Sequence, residues 1–291
     1  MGTKSSFILI FVLLAFWGKA QKLQKIENFG KNDGNLNMYV YAPQKLKDSC
    51  DVVFVLHGCT QNAKMIASET GWNKIADSLG LLIVYPEQKL ENNLSKCFNF
   101  FLKKDVTPEN GEMSSIIDMV NYVKKQYKTA KLFITGMSAG GGMTNQLLSA
   151  YPNVFDAAAI LAGPVYFTNR LEENSTDDLP KIAYLHGKND LVVLHSQSEQ
   201  SINYWLKIYK NKPQADTINN YLNRPDFTLI EYKNDAQKPV LVLLSIDDFG
   251  HKIAINSKDG ISKNDFHTKD IRFNSTLWIA DFFGLINFTN P

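Results

Sequence analysis

Ser138 stands in the run Gly136-Met137-Ser138-Ala139-Gly140-Gly141-Gly142, a G-x-S-x-G pattern extended by two more glycines. A serine hydroxyl is a weak nucleophile until a neighbouring base takes its proton, so the chain must also supply a base and an acid to orient it. Alone, the pattern arises by chance in about one chain in ten of this length, and its setting is what gives it weight. The apolar run KLFIT (131–135) leads into it, and a helical stretch carrying Met143, Leu147 and Leu148 leads out. That is the strand–turn–helix frame of a nucleophile elbow. The turn strains the serine backbone, the glycines clear space where strand and helix approach, and the helix N-terminus aims its amide dipoles at the reacting centre.

In this frame the partners follow in the order acid, then histidine. KIAYL (181–185) runs into His186-Gly187-Lys188-Asn189-Asp190, which makes Asp190 the predicted acid. Asp247 and Asp248 compete, but they lie on the strand-to-histidine connection and read as solvated loop or turn residues. PVLVLL (239–244) leads through SIDDFG to His251, the predicted base. The other histidines fit less well. His195 lies too close to Asp190 and reads as the start of a helix. His267 sits in a polar stretch before the last helix and is expected to be exposed. His57 and His186 end strands, where they support loops. An oxyanion hole needs two backbone N–H groups. One is expected from Ala139, the other from the loop His57-Gly58-Cys59-Thr60-Gln61.

These residues must be carried by regular elements. LNMYVY (36–41) alternates and ends at Pro43, as a strand does. VVFVL (52–56), LLIVY (81–85), KLFIT, AAAIL (157–161), KIAYL and PVLVLL are short continuous apolar runs, the pattern of strands buried on both faces. Helical periodicity falls between them: Trp72, Ile75, Ala76 and Leu79; Ile116, Ile117, Val120, Val123 and Tyr127; Leu147, Leu148 and Tyr151; Ile202, Trp205, Leu206 and Tyr209. The alternation predicts an α/β fold with a mostly parallel sheet and helices on both faces. A last amphipathic helix (Leu277, Ile279, Ala280, Phe283) closes the chain, so no appended binding module is expected.

The 291 residues, 44% hydrophobic and 21% charged, have an ordinary globular composition. Lys4 precedes the apolar run 7–17, too short for a bilayer core of about 30 Å, and Gly18 and Ala20 provide small residues before Gln21. Residues 1–20 are therefore expected to be a signal peptide cleaved before Gln21, with 21–291 as one catalytic domain in a secreted or periplasmic protein. The formal net charge of +2 falls near zero once Lys4 and Lys19 are removed, which gives no reason to expect nucleic acid or a membrane as partner. Asn93, Asn174, Asn274 and Asn287 head N-x-S/T triplets that matter only in a glycosylating host.

Export permits disulfides, and the three cysteines leave one thiol free. Cys50 and Cys59 flank a predicted strand and would stand roughly 30 Å apart, beyond the reach of about 7 Å that a bridge needs. Cys59 and Cys97 each lie beyond the C-terminal end of a parallel strand. Cys59–Cys97 is the predicted bridge and Cys50 the free thiol.

The stretches LHGCTQNA (56–63), SETGWNKIADSLGLLIVYPEQ (68–88), CFNFF (97–101), GMSAGGGMT (136–144), HGKNDLVV (186–193) and FGH (249–251) together resemble poly(3-hydroxybutyrate) depolymerase-type esterases, a group related to feruloyl and acetylxylan esterases. The resemblance spans nearly the whole mature chain and implies an α/β-hydrolase fold. By position it makes Ser138, Asp190 and His251 the triad and Cys59 an oxyanion contributor. It implies a serine carboxylic-ester hydrolase working through an acyl-enzyme, without metal or cofactor. Phe98, Phe100 and Phe101 stand where tryptophans are common in the family, and KIAINSKDG follows His251 in place of a Trp-Pro-Gly-Gly run. The expected pocket is an aromatic wall of Phe98, Phe100, Phe101, Tyr166 and Phe167, although loop phenylalanines serve packing more often than pockets; it would take a polyester oligomer or a plant-polysaccharide ester, with soluble or polysaccharide-linked esters favoured. A serine peptidase of the same fold and a non-catalytic surface binding protein are the alternatives.

Overall fold

The structure is a computed structural model that describes residues 22–288, so the predicted signal peptide lies outside the described residues. In chain order the strands are β1 (Gln24–Ile26), β2 (Asn37–Tyr41), β3 (Cys50–Leu56), β4 (Leu82–Glu87), β5 (Thr129–Met137), β6 (Ala157–Leu161), β7 (Lys181–Gly187), β8 (Gln214–Asn219), β9 (Phe227–Lys233), β10 (Pro239–Ile246), β11 (Ile253–Ile255) and β12 (Thr268–Asp270). The helices are α1 (Ala63–Thr70), α2 (Trp72–Leu79), α3 (Gly111–Gln126), α4 (Ala139–Ala150), α5 (Ser196–Ile208) and α6 (Ser275–Phe282).

Ten strands form one sheet in the order β1-β2-β4-β3-β5-β6-β7-β10-β9-β8. From β4 to β10 every pairing is parallel, and the outer pairings on both sides are antiparallel. The predicted apolar strands lie in this centre or beside it. Successive side chains of a strand point to opposite faces, so each continuous apolar run feeds two cores. Val53, Val55, Ile83, Phe133 and Ala159 pack with Ile66 of α1, Trp72 and Ile75 of α2 and Ile279 of α6. Val52, Phe54, Val84, Ile134 and Ile160 pack with Ile116 and Val120 of α3, Leu147 and Leu148 of α4 and Trp205 of α5.

Sequence patterning missed the periphery. β8 (QADTIN) is exposed along nearly its whole length, and β9 buries only Phe227 and Leu229 fully. Such strands at a sheet edge lack the continuous apolar run used to find the centre. α1 was missed as well. Asn62 caps it by accepting the Met65 N–H at 2.9 Å.

The register of the parallel strands positions the site. Leu56 of β3 pairs with Gly136, Met137 of β5 with Leu161, Leu161 of β6 with Leu185, and Ile246 of β10 with Gly187. The strands therefore end nearly flush at one rim. The segments that follow them carry His57, Ser138, Asp190 and His251. Loops beyond the carboxyl ends of parallel strands are where open α/β sheets build ligand sites.

Candidate active site

Ser138 occupies the single position between the end of β5 and the start of α4, with φ 53° and ψ −121°. A non-glycine residue pays of order 1–3 kcal/mol for such a conformation unless its surroundings impose it. Here the Ser138 N–H donates to the Leu161 carbonyl at 2.9 Å, and its carbonyl accepts the Gly142 N–H at 2.9 Å. Side chains are excluded around the turn. A Cβ on Gly140 would stand 2.6 Å from the carbonyl oxygens of Leu56 and His57, and one on Gly136 would collide with the Gly140 carbonyl.

The structure brings the three predicted side chains together. His251 Nε2 lies 2.8 Å from Ser138 Oγ, and its Nδ1 lies 2.7 Å from Asp190 Oδ2. An ionised carboxylate only accepts hydrogen bonds, so Nδ1 carries the proton and Nε2 is left to accept one from the serine. Asp190 is buried. Its Oδ1 accepts the N–H groups of Val192 and Val193 at 2.8 and 2.9 Å, and its Oδ2 also faces His186 Nε2 at 3.2 Å. Burial pushes its carboxyl upward, but His186, His251 and the Val193 amide outweigh that and hold it well below the usual carboxylate range. The arrangement can move a proton from the hydroxyl to the imidazole and stabilise the resulting imidazolium.

The rival residues lie elsewhere. Asp247 pairs with Lys188 at 2.8 Å, and Asp248 is exposed and accepts from Asn189 Nδ2 at 3.1 Å. His195 directly precedes α5, with Nε2 2.8 Å from Ser245 Oγ. His186 is buried, with Nδ1 2.6 Å from Ser198 Oγ and Nε2 2.8 Å from the Val193 carbonyl. His267 departs from expectation. It is half-buried, with Nδ1 3.0 Å from Glu69 Oε1 and Nε2 3.1 Å from Thr60 Oγ1.

Facing Ser138 is the loop of residues 57–62. His57 Nε2 accepts the Gln88 N–H at 3.1 Å, which puts the ring proton on Nδ1, and Nδ1–H donates to the Gly58 carbonyl at 2.7 Å. Burial lowers the His57 pKa to about 4, so the ring stays neutral near pH 7. A trans peptide points its N–H opposite to its C=O. Holding the Gly58 carbonyl therefore fixes the direction of the Cys59 N–H. Among the described residues, neither the Cys59 N–H nor the Ala139 N–H donates to a protein acceptor. Cys59 is bonded to Cys97, with Cα atoms 4.2 Å apart, which ties this loop to the one after β4. Cys50 is free and buried at the opposite end of β3. The second loop is anchored in turn by Glu112, which accepts from Asn99 N at 2.7 Å, Asn99 Nδ2 at 2.6 Å and Gln88 Nε2 at 2.5 Å. Burial raises Glu112 to about 7, with the Asn99 amide and Gln88 pulling the other way.

The predicted aromatic wall is only partly available. Phe98 is fully buried against the His57 ring, at 5.0 Å between centroids, and lines nothing open. Phe167 is half-buried, stacked on Tyr204 of α5 at 3.8 Å, and lines a cavity with Val165, Arg170 and Tyr204. Phe100 is half-buried and covers Gly142 in the first turn of α4. Phe101 and Tyr166 are exposed. The sequence also gave no notice of Gln61, Glu69 and His267 as a connected group. One signal was present: Glu69 falls three residues after Ile66, so a helix through 63–70 puts it on the inward face.

Residues 36–181 match the model of the Esterase PHB depolymerase family. Poly(3-hydroxyalkanoate) depolymerase C of Paucimonas lemoignei is 28% identical over 298 residues, covering 91% of this chain and 70% of that protein. Feruloyl esterase B of Thermothelomyces thermophilus is 26% identical over 232 residues, 68% of this chain and 79% of that one. Acetylxylan esterase A of Aspergillus oryzae is 32% identical over 148 residues, 50% of this chain and 47% of that one. Among solved structures, an acetyl xylan esterase from Aspergillus awamori superposes with a TM-score of 0.72 at 19% identity, covering 91% of this chain and 100% of that one, a likeness of fold. The match spans half of the sequence and includes the elbow and the Cys59 loop, and the chain belongs to the Esterase PHB depolymerase family of α/β-hydrolase carboxylic-ester hydrolases.

Proposed function

We propose that this protein is a secreted serine esterase that cleaves carboxylic esters through an acyl-enzyme, with Ser138, His251 and Asp190 as its triad. The observation that carries this reading is the unbroken path from Ser138 Oγ through both nitrogens of His251 to Asp190, with steps of 2.8 and 2.7 Å. Ser138 Oγ attacks the ester carbonyl while its proton passes to His251 Nε2. The N–H groups of Cys59 and Ala139 receive the oxyanion. Collapse breaks the bond to the alcohol oxygen, which leaves with the proton from His251. Water then repeats the sequence on the acyl-serine, releasing the acid and restoring the hydroxyl.

Three kinds of ester named by the relatives bear on the substrate: hydroxyalkanoate polymers, feruloyl esters and acetylated xylan. Phe101 and Tyr166 are the wall residues exposed at the surface. With Phe98 buried and Phe167 stacked on Tyr204, the wall that would face a polymer is reduced, and we favour soluble or polysaccharide-linked esters. The Cys59–Cys97 bond supports an oxidising compartment. Residues 1–20 are read as the export signal and 21–291 as one catalytic domain.

The test is hydrolysis of a p-nitrophenyl acyl ester beside a peptide amide by wild type and Ser138→Ala. The wild type is expected to cleave the ester, and the variant to lose turnover by about 10⁴-fold or more while its thermal unfolding is unchanged. Near-wild-type turnover by a folded Ser138→Ala protein would falsify the assignment.

A further inference from the structure

Behind the loop that carries Cys59 lies a buried carboxylate that the reaction scheme does not use. Glu69, on the inward face of α1, is fully buried. Its Oε2 accepts from Gln61 Nε2, and Gln61 Oε1 in turn accepts the Gly58 N–H at 2.6 Å. Its Oε1 faces His267 Nδ1 at 3.0 Å. His267 Nε2 lies 3.1 Å from Thr60 Oγ1, whose hydroxyl reaches the Cys59 carbonyl at 2.6 Å. Two hydrogen-bonded arms thus run from one carboxylate to the two residues on either side of Cys59.

Several features make this more than incidental packing. A buried carboxylate is costly unless donors satisfy it, and both side-chain donors here end on the same loop. Thr60 has φ 65°, a conformation that β-branched residues avoid, so its neighbours must impose it. His267 comes from the segment before β12, 198 residues from Glu69, so the second arm closes only when the C-terminal part of the chain has docked.

We propose that Glu69 and His267 are positioning residues for ester hydrolysis, a carboxylate–imidazole pair that holds the Cys59 amide toward the oxyanion by way of Gln61 and Thr60. This rests on the reading of Ser138 as nucleophile and Cys59 as oxyanion donor. An oxyanion donor works because it is fixed before charge develops, and a small misplacement costs rate out of proportion to any loss of stability. The effect belongs to the transition state, so kcat falls while KM holds.

The experiment measures p-nitrophenyl butyrate hydrolysis by wild type, Glu69→Gln, His267→Ala, Thr60→Val and the His267→Ala/Thr60→Val double variant. Competent sites are counted by endpoint titration with diethyl p-nitrophenyl phosphate. Expected is a fall of about tenfold in kcat per titrated site for Glu69→Gln and His267→Ala, with KM changed less than twofold. The double variant should be no slower than the slower single one, because the two residues act in series. Should Glu69→Gln fail to fold, His267→Ala, in a partly exposed loop position, decides alone. The proposal is overturned if kcat per titrated site stays within twofold of wild type, the losses appearing only as fewer competent sites. It is also overturned if the double variant multiplies the single losses. Ser138→Ala is run alongside: turnover surviving there sinks the reading of the site itself, whereas an inactive Ser138→Ala beside an unimpaired His267→Ala sinks only this proposal.

Discussion

On one side of the Ser138 hydroxyl the groups aligned for chemistry are side chains. His251 and Asp190 arrive from the ends of β10 and β7, and Asp190 is gripped by two backbone amides and two imidazoles. On the other side the groups proposed to receive the oxyanion are the backbone amides of Cys59 and Ala139. There the side chains of His57, Gln61, Glu69 and Thr60 hold the loop from behind, together with one disulfide. The first side depends on which residue types are present. The second depends on the direction of a peptide plane, which almost any residue supplies if something else holds it. Damage should differ accordingly. Changes on the triad side remove a chemical group, while changes on the loop side displace one that is still there.

The largest effect is expected from Asp190→Asn. The amide would present a donor toward two imidazole nitrogens and favour the wrong tautomer of His251, with a loss in kcat of about 10⁴-fold and thermal unfolding little changed. A loss of less than tenfold would show that the acid lies elsewhere and erase the contrast between the two sides.

Cys97→Ser acts on the loop side and should look different. Opening a bridge that spans 38 residues is expected to cost about 2–4 kcal/mol of stability and several-fold in kcat, with both effects reproduced when wild type is treated with reductant. Calorimetry and ester kinetics on the same samples check this. A reduced enzyme with unchanged kcat would mean that the other braces hold the Cys59 amide unaided.

The subtlest effect lies in the pH dependence of stability, where two supports of the second side oppose each other. His57 is lowered to about 4 by burial, against about 6.5 when free. The unfolded chain therefore protonates first as pH falls, and the stability present above pH 6.5 is lost on the way down to 4. Glu112 is raised to about 7 by burial, against about 4.3 when free. The folded state holds that proton longer, so its contribution is present below about pH 4.3 and lost as pH rises toward 7. Each contribution totals at most about 3.5 kcal/mol, and between pH 4.5 and 6.5 they offset one another. Urea unfolding across that range should show Glu112→Gln losing more stability on acidification than wild type does. Parallel curves would mean that Glu112 does not titrate in this window.

The same division governs what the sequence revealed. Ser138, Asp190 and His251 were legible because a glycine-rich elbow and two strand-end positions constrain residue type and order together. The central strands were legible because burial on both faces demands continuous apolar runs. β8 and β9 escaped because one solvated face dilutes that pattern. Phe98 and Phe167 could not be assigned to pocket or packing because a loop aromatic looks the same in sequence whether it turns outward or, as Phe98 does, against His57. His267 looked exposed because its neighbours are polar. Its burial comes from Glu69, a residue that no local window contains.

β3 separates Cys50 from Cys59 by its full extended length, and so it acts as a ruler for oxidation. In the disordered chain the short ring between those two thiols closes more readily than the longer one to Cys97. Once the strand is stretched out, the competing thiol is carried to the far end of the strand and buried. An extended β3 thus leaves Cys97 as the thiol within reach of Cys59.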